Sequence, residues 1–404
     1  MHKHKFFSSL KTRANQKPCF AFRAKSAAIL TGLALSGSAL AGVTINGPGD
    51  SWFSIGAGLR TSYTSLEDGA PNGTSRSNDF EIDNVRIYTS GQIVKGVKAT
   101  LNFEKNPDES MRVMDAIAQF EPSPVFNFWM GRMLPAVDRA NLAGPFYENA
   151  WQYPGVVSNN PQIAVGRDTG VTIWGKPLAG KLVYAFGAFK GHNNVSGGSN
   201  DSDKLMYSGR VQYALWDAEP APAYYVGNTY YGSNDILTLG AGFMHQSDGV
   251  GISTNKGDYK SYVVDMLMEK KMGVGGALTV EGAYYKYDFG GKRDCGDGLG
   301  GAGALTCPGG GTNVGGEVAG KAYLGTLAYL IPGKVGIGQF QPFLRYQEFK
   351  RDVGNTKNKQ GDIGVNYVIA GHNARITAVY SKLKDTLASS NDRNQFILGV
   401  QLQY

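Results

Sequence analysis

The sequence predicts an all-β fold, a 16-stranded antiparallel transmembrane β-barrel, and three observations lead there. Segments of about ten residues alternate apolar and polar side chains between turn clusters, the two-residue period of a strand with two different faces. The connections between these segments alternate in kind, mostly short on one side and long and Gly/Asn/Asp-rich on the other. After residue 41 no run approaches the roughly 18 consecutive apolar residues of a membrane helix, and sustained i, i+3, i+4 patterns are missing. Composition agrees. Gly at 56 and Tyr at 22 are high and charged residues are only 18%, which suits many turns, interfacial aromatics and little water-facing surface.

The first segment, 52–63 (WFSIGAGLRTSY), puts Phe53, Ile55, Ala57, Leu59 and Tyr63 on one face and Arg60 on the other. Segments 80–94 and 97–105 follow, joined by the Lys95-Gly96 turn. Within 97–104, Val97, Ala99, Leu101 and Phe103 alternate with Lys98, Thr100, Asn102 and Glu104. Segments 112–121 and 125–132 flank the Pro122-Ser123-Pro124 turn. The rhythm continues through 167–175, 181–190, 205–216, 236–246, 258–271, 276–289, 319–331, 338–350, 359–369, 374–384 and 394–404, sixteen in all. Short connections fall at 95–96, 122–124, 176–180, 272–275, 332–337 and 370–373, and longer ones at 64–79, 133–166, 191–204, 247–257 and 290–318. An even strand count with loop lengths segregated in this way is the pattern of an outer-membrane barrel, not of a β-sandwich. One connection breaks the rule: 217–235 lies on the short side, yet it is long and rich in Pro and Tyr.

The last segment ends the chain in mid-strand. Phe396, Leu398, Val400, Leu402 and Tyr404 share one face, and Gln395, Ile397, Gly399, Gln401 and Gln403 the other. In a closed barrel the last strand pairs with the first, so it cannot fray without opening the sheet. Tyr404 then belongs to the aromatic girdle, and the glutamines to a lumen where water solvates them.

Residues 1–41 carry Lys3, Lys5, Lys11, Arg13, Lys17, Arg23 and Lys25 and no acid, so the net charge of +7 resides there. The remainder balances 33 basic against 33 acidic residues, and no footprint for nucleic acid follows from the basic pI. The stretch SAAILTGLALSGSALA ends in Ala39-Leu40-Ala41 and reads as a secretory signal cleaved before Gly42. Domain organisation is then 1–41 signal peptide and 42–404 barrel. Cys19 leaves with the signal, and the remaining Cys295 and Cys307 suggest one disulfide stapling the Gly-rich 290–318 connection. The pair offers too few ligands for a metal site, and neither metal nor cofactor is expected.

The segments DFEIDNVRIYTSGQI (79–93), DAIAQFEPSPVFNFWMGRMLPAVDRANLAGPFYENAWQYPG (115–155) and YYVGNTYYGSNDILTLGAGF (224–243) resemble the phosphate-selective porin family, which also includes porins linked to uptake of short-chain amides and urea. The resemblance implies a homotrimer in the outer-membrane bilayer. Each barrel would be a water-filled channel for small hydrophilic solutes and ions, with the loop after the fifth strand folded inward as a constriction. It also implies that the terminal aromatic, Tyr404, is read during barrel assembly.

On the faces taken as luminal, Arg60, Arg86, Lys98, Arg210, Arg345 and Arg375 meet Glu104, Asp115, Asp265, Glu269, Glu281 and Asp362. Six of each sign predict weak charge selectivity, since strong selectivity comes from rings of one sign. The same residues could instead form cross-strand pairs that stiffen the wall. The 133–166 connection holds Asp138, Arg139 and Glu148, with Arg132 and Arg167 beside it and no Lys. Dianion binding calls for several cationic donors, so phosphate selectivity is the alternative rather than the first reading. Tyr147 and Trp151, with Phe146, Tyr153, Asn141, Asn149 and Gln152, favour small neutral polar solutes such as amides or urea, or else pack the loop against the wall.

Rival readings have less support. GGEVAGKA (315–322) lacks the Ser or Thr of a phosphate-cradling loop and no helix pattern follows it. SNDSD (199–203) lacks the spacing of a cation loop. A barrel hydrolase would need a His beside a Ser, and only His245-Gln246-Ser247 approaches that. An adhesive barrel exposing 290–318 is the third alternative.

Overall fold

The computed structural model describes residues 42–107, 110–158, 166–191, 203–252, 255–291, 319–352, 356–386 and 392–404. Residues 1–41, expected to be a secretory signal, His192 and both Cys295 and Cys307 lie outside the described residues.

Seventeen strands are present among the described residues. A short β1 (Val43–Asn46) precedes β2 (Trp52–Leu66), β3 (Ser77–Val94), β4 (Val97–Lys105), β5 (Arg112–Ser123) and β6 (Phe126–Met133). After a helix, α1 (Arg139–Ala143), come β7 (Asp168–Gly175), β8 (Leu182–Phe189), β9 (Met206–Ala214), β10 (Ile236–Ile252) and β11 (Asn255–Met272). The chain closes with β12 (Gly276–Asp288), β13 (Gly320–Leu330), β14 (Gln339–Arg351), β15 (Lys357–Val368), β16 (Ala374–Asp385) and β17 (Asp392–Gln403). Each of β2 to β17 pairs antiparallel with its neighbours in sequence, and β17 pairs back onto β2, from Gln395↔Leu66 to Gln403↔Gly58. The sixteen strands therefore close on themselves, as the alternation predicts.

β1 is the element that sequence reading missed. Its four residues extend the row that β17 vacates: β17 stops opposite Gly58, and β1 takes Trp52 to Ile55. Between them Tyr404 exchanges both backbone hydrogen bonds with Ala57, at 2.7 and 2.8 Å. The end of the chain is thus fastened at the seam, with the Tyr404 ring 67% exposed on the outside. The 247–257 connection is also corrected, because β10 and β11 run on into it as far as Ile252 and Asn255, re-pairing Val250 with Gly257 after an irregularity at Gln246.

Alternation sorts the side chains. Phe53, Ile55, Leu101, Phe120, Leu239, Tyr262, Leu344, Ile363 and Leu398 are large, apolar and exposed, lying on the outward face all the way round. So much continuous apolar surface would aggregate in water and matches a bilayer instead. The buried face is the lumen, and it is unusually polar: Arg60, Arg86, Glu104, Arg210, Asp265, Arg345 and Arg375 are all buried there.

Candidate functional site

What buries those luminal side chains is chain threaded through the barrel. The connection from β6 to β7 turns inward, and Leu134, Ala136, Val137, Leu142, Phe146, Trp151 and Val157 are all buried. Its first turn is set locally. Asp138 caps α1 by accepting from Asn141 N at 2.8 Å, and its other carboxylate oxygen accepts from Ser158 Oγ at 2.6 Å. Burial raises the Asp138 carboxyl above its ordinary range, against these hydrogen bonds. Gly144 ends the helix with a φ of 65°, a left-handed conformation that favours glycine.

Buried loop backbone must find donors, and the wall supplies them. Arg60 donates to Trp151 O. Arg345 donates to Gln152 O at 2.6 Å, and Arg375 to Glu148 O at 2.6 Å. Asn366 reaches Asn149 O at 2.9 Å and Gln401 reaches Phe146 O at 3.0 Å. Arg210 donates to Val137 O at 3.1 Å and Tyr287 to Val157 O at 2.8 Å. Space is supplied as well. A Cβ on Gly399 would overlap the Trp151 indole, and one on Gly242 would overlap Val137 O. The luminal glutamines are accordingly not solvated as expected: Gln401 and Gln403 are buried and both donate to His372 O, at 2.6 and 2.9 Å.

The long 217–235 connection accounts for its own exception. It enters from the short-turn end, against the sequence expectation for that side, and meets the loop from the opposite end. Arg139 makes two hydrogen bonds to the Glu219 carboxylate, at 2.7 and 2.9 Å, and a third to Gly227 O at 2.8 Å. Asn228 donates its side chain to Glu148 at 2.7 Å and its backbone N–H to Tyr147 O at 3.0 Å. Tyr224 donates to Leu134 O at 2.9 Å. Glu269 on β11 holds the inner segment by accepting from Thr229, Tyr230 N and Gly232 N. Burial raises the Glu219 carboxyl, but the Arg139 guanidinium more than offsets it and holds it below the usual range. Burial, then repulsion from Glu281, pushes Glu148 well above its usual range.

The candidate constriction residues are therefore brought together, but in two roles. Asp138, Arg139 and Glu148 are at most 1% exposed and fasten the loop rather than line open space. Tyr147 packs against His372, ring centroids 5.0 Å apart, in the seam between loop and inner segment. Burial and then the Arg375 charge push His372 down to about 3, so its ring is neutral at ordinary pH. Open space remains beside β2, β3 and the loop, in a cavity of about 350 Å³. Its lining includes Arg60, Arg86, Asp83 and Arg167 together with the loop residues Pro145, Trp151, Gln152, Tyr153 and Ser158. The Arg60 guanidinium lies 4.0 Å from the Trp151 ring centroid, and that of Arg86 lies 4.8 Å from Phe146.

Most luminal charges are paired, as the wall-stiffening reading holds. Arg86 bonds Glu104 at 2.5 Å, Arg345 bonds Asp362 at 2.7 Å and Arg210 bonds Asp265 at 2.6 Å. Lys98 is taken by Glu121 at 2.5 Å, and Asp115 by Arg167 at 3.1 Å. Ser247 Oγ is 3.5 Å from His245 Nε2, too long for a nucleophile and base in hydrogen-bond contact. Among the described residues no group of three or more His, Cys, Asp or Glu is placed to hold a metal ion.

Comparison with known proteins agrees with this architecture. Residues 53–404 match the family described as phosphate-selective porin O and P. OmpT, an outer-membrane protein of Vibrio cholerae, is similar in structure: TM-score 0.55 at 13% identity, covering 89% of this chain and 100% of that one. An anion-selective porin from Comamonas acidovorans is similar at TM-score 0.54 and 13% identity, covering 88% and 100%. A trimer form of OmpT gives 0.53 at 12% identity, covering 88% and 99%. The sequence matches no curated protein.

Proposed function

Because the chain belongs to the phosphate-selective porin O and P family, we propose that it passes small hydrophilic solutes passively through the outer membrane, with weak charge selectivity and a preference for small neutral polar solutes such as amides or urea. One observation carries the selectivity: the cavity presents cationic N–H donors whose charge is cancelled from behind. Arg60, Arg86 and Arg167 face it, while Glu104 and Asp115 pair with two of them and Asp83 lines the same wall. The guanidinium groups of Arg60, Arg86 and Arg167 that line the cavity are the donors a passing acceptor oxygen meets. The loop residues that complete the lining, Pro145, Gln152, Tyr153 and Ser158 among them, bring no counter-charge. A solute with a carbonyl acceptor and no net charge fits this lining.

The second reading is an anion-selective channel. It is favoured by the same arginines, because Glu104 is completely buried and screens least on the cavity side. Single-channel recording of the refolded barrel under a salt gradient separates the two. Discrete open steps with a reversal potential near zero fit the first reading, and a strong anion preference blocked by phosphate replaces it with the second. A silent, correctly folded barrel overturns both. By analogy with the trimer form of the OmpT neighbour, three barrels assemble in the bilayer, which cross-linking of the folded protein tests. Export begins with the acid-free 1–41 segment, removed before Gly42.

A further inference from the structure

Strands β12 to β16 carry an uneven charge on their outward face at the long-loop end. Lys286 stands directly opposite Lys321, Lys321 opposite Lys350, and Lys350 opposite Lys357, four lysines on four neighbouring strands at one height. One row towards the membrane Lys359 opposes Lys384, and Lys382 lies one row further. Like charges directly opposed across a sheet are destabilising. The carboxylates that reach these seven lysines are three: Asp352 on Lys286, Glu348 on Lys357 and Lys359, and Asp392 on Lys384, each at 3.1 Å. Lys321, Lys350 and Lys382 are exposed and have no ion pair among the described residues.

Directly beneath, the face becomes aromatic and then apolar. Tyr284 and Tyr323 pack with ring centroids 5.2 Å apart, the girdle that marks a membrane–water boundary. Below them lies an outward groove of about 600 Å³, whose lining includes Leu327, Leu344, Ile363 and Tyr380, with Lys382 at its rim. Gly325 and Gly361 flank Tyr346 on the two adjoining strands, and a Cβ on either would meet nothing within 4 Å. The gap is open rather than packed.

We propose that this face binds a phosphorylated lipid of the outer leaflet, its headgroup phosphates on Lys321, Lys350 and Lys382 and an acyl chain in the groove below. The long-loop end is the outward end of such a barrel, which fixes the leaflet. A second copy meeting this face about a two-fold axis is a poor occupant, because seven lysines would face their own kind. Free phosphate has no use for the apolar groove.

The test is native mass spectrometry of the folded barrel in detergent, with a diphosphorylated glucosamine lipid as probe and its dephosphorylated form as control. The parent barrel retains the phosphorylated form selectively. K321Q/K350Q/K382Q lowers that retention roughly a hundredfold, since each basic side chain at an anionic lipid surface accounts for roughly a fivefold change. Gly325→Leu/Gly361→Leu fills the groove without altering charge and lowers retention too. Heat-modified gel migration and channel conductance, which involve the lumen, stay as in the parent in all variants. Equal retention of the two lipid forms, or retention indifferent to the triple variant, overturns the proposal. So does a cross-link joining these lysines to a second barrel.

Discussion

Arg139 joins the two segments that meet in the lumen, and Arg139→Ala is the sharpest test of that arrangement. Its side chain is 1% exposed and that of Glu219 4%, so the pair is desolvated and its charge-assisted bonds are not screened by water. Removing one partner of a buried ion pair costs about 3–5 kcal/mol, because the other charge is left behind. Other hydrogen bonds that join the described parts of loop and inner segment include Tyr224 to Leu134 O, Asn228 to Glu148, and Asn228 N to Tyr147 O. At about 1 kcal/mol net each they roughly equal the loss, so the junction moves from firmly docked to near balance. The expected result is cleavage of the loop by added protease, and noisier, larger single-channel steps from a barrel that still closes. Arg139→Met/Glu219→Met removes both charges and recovers most of the parent behaviour. Unchanged steps and protease resistance in Arg139→Ala would refute the reasoning. A double variant as disturbed as the single one would show that packing, not charge, holds the junction.

Three further outcomes follow from the same structure. Gly399→Val places a side chain where the Trp151 indole lies, so the loop is displaced from β17 and conductance rises while the outer face is untouched. Glu148, its carboxyl raised first by burial and then by Glu281, contributes stability below the ordinary carboxylate pKa that is lost as pH rises through the folded value. The parent loop should therefore become more protease-sensitive as pH rises from the ordinary carboxylate range through the raised folded value, and Glu148→Gln should remove that dependence. Finally, the exported protein should begin at Gly42, which intact mass and terminal sequencing of outer-membrane material will read directly.

Strand number and the two faces were legible because both depend only on a two-residue period, which the sequence states outright. Partners were not, because they depend on register. Arg86 opposes Glu104 and Arg345 opposes Asp362 across neighbouring strands, and a shift of one residue would have turned each outward. Six positive and six negative residues could thus be assigned to the lumen while the pairing that cancels them stayed hidden. β1 was too short to show alternation. The inner segment did leave a signal, its length and its Pro and Tyr on a side of short turns, but nothing local says whether such a connection projects away or folds in. That was decided by Arg139 and Glu219, 80 positions apart.

The way the loop is fastened separates its position from its chemistry. Arg60 and Arg345 hold Trp151 and Gln152 by their carbonyl oxygens, which every residue has, so the half-buried Gln152 side chain can change without loss of the anchor, whereas the Trp151 indole is itself packed against the wall. Gln152 lines the cavity and accepts from Gln360 Nε2 at 3.2 Å through its side-chain oxygen. Gln152→Glu keeps an acceptor there, leaves the carbonyl anchor alone and adds one negative charge beside Arg60. Docking, read by protease resistance, should not change. Reversal potential under a salt gradient should move towards cations, because the added negative charge offsets the Arg60 cation in the cavity while the paired charges elsewhere in the lumen are unchanged. If it moves and resistance holds, solutes pass this cavity. If conductance and reversal potential both match the parent, solutes cross by another route and the arginine wall is scaffold alone.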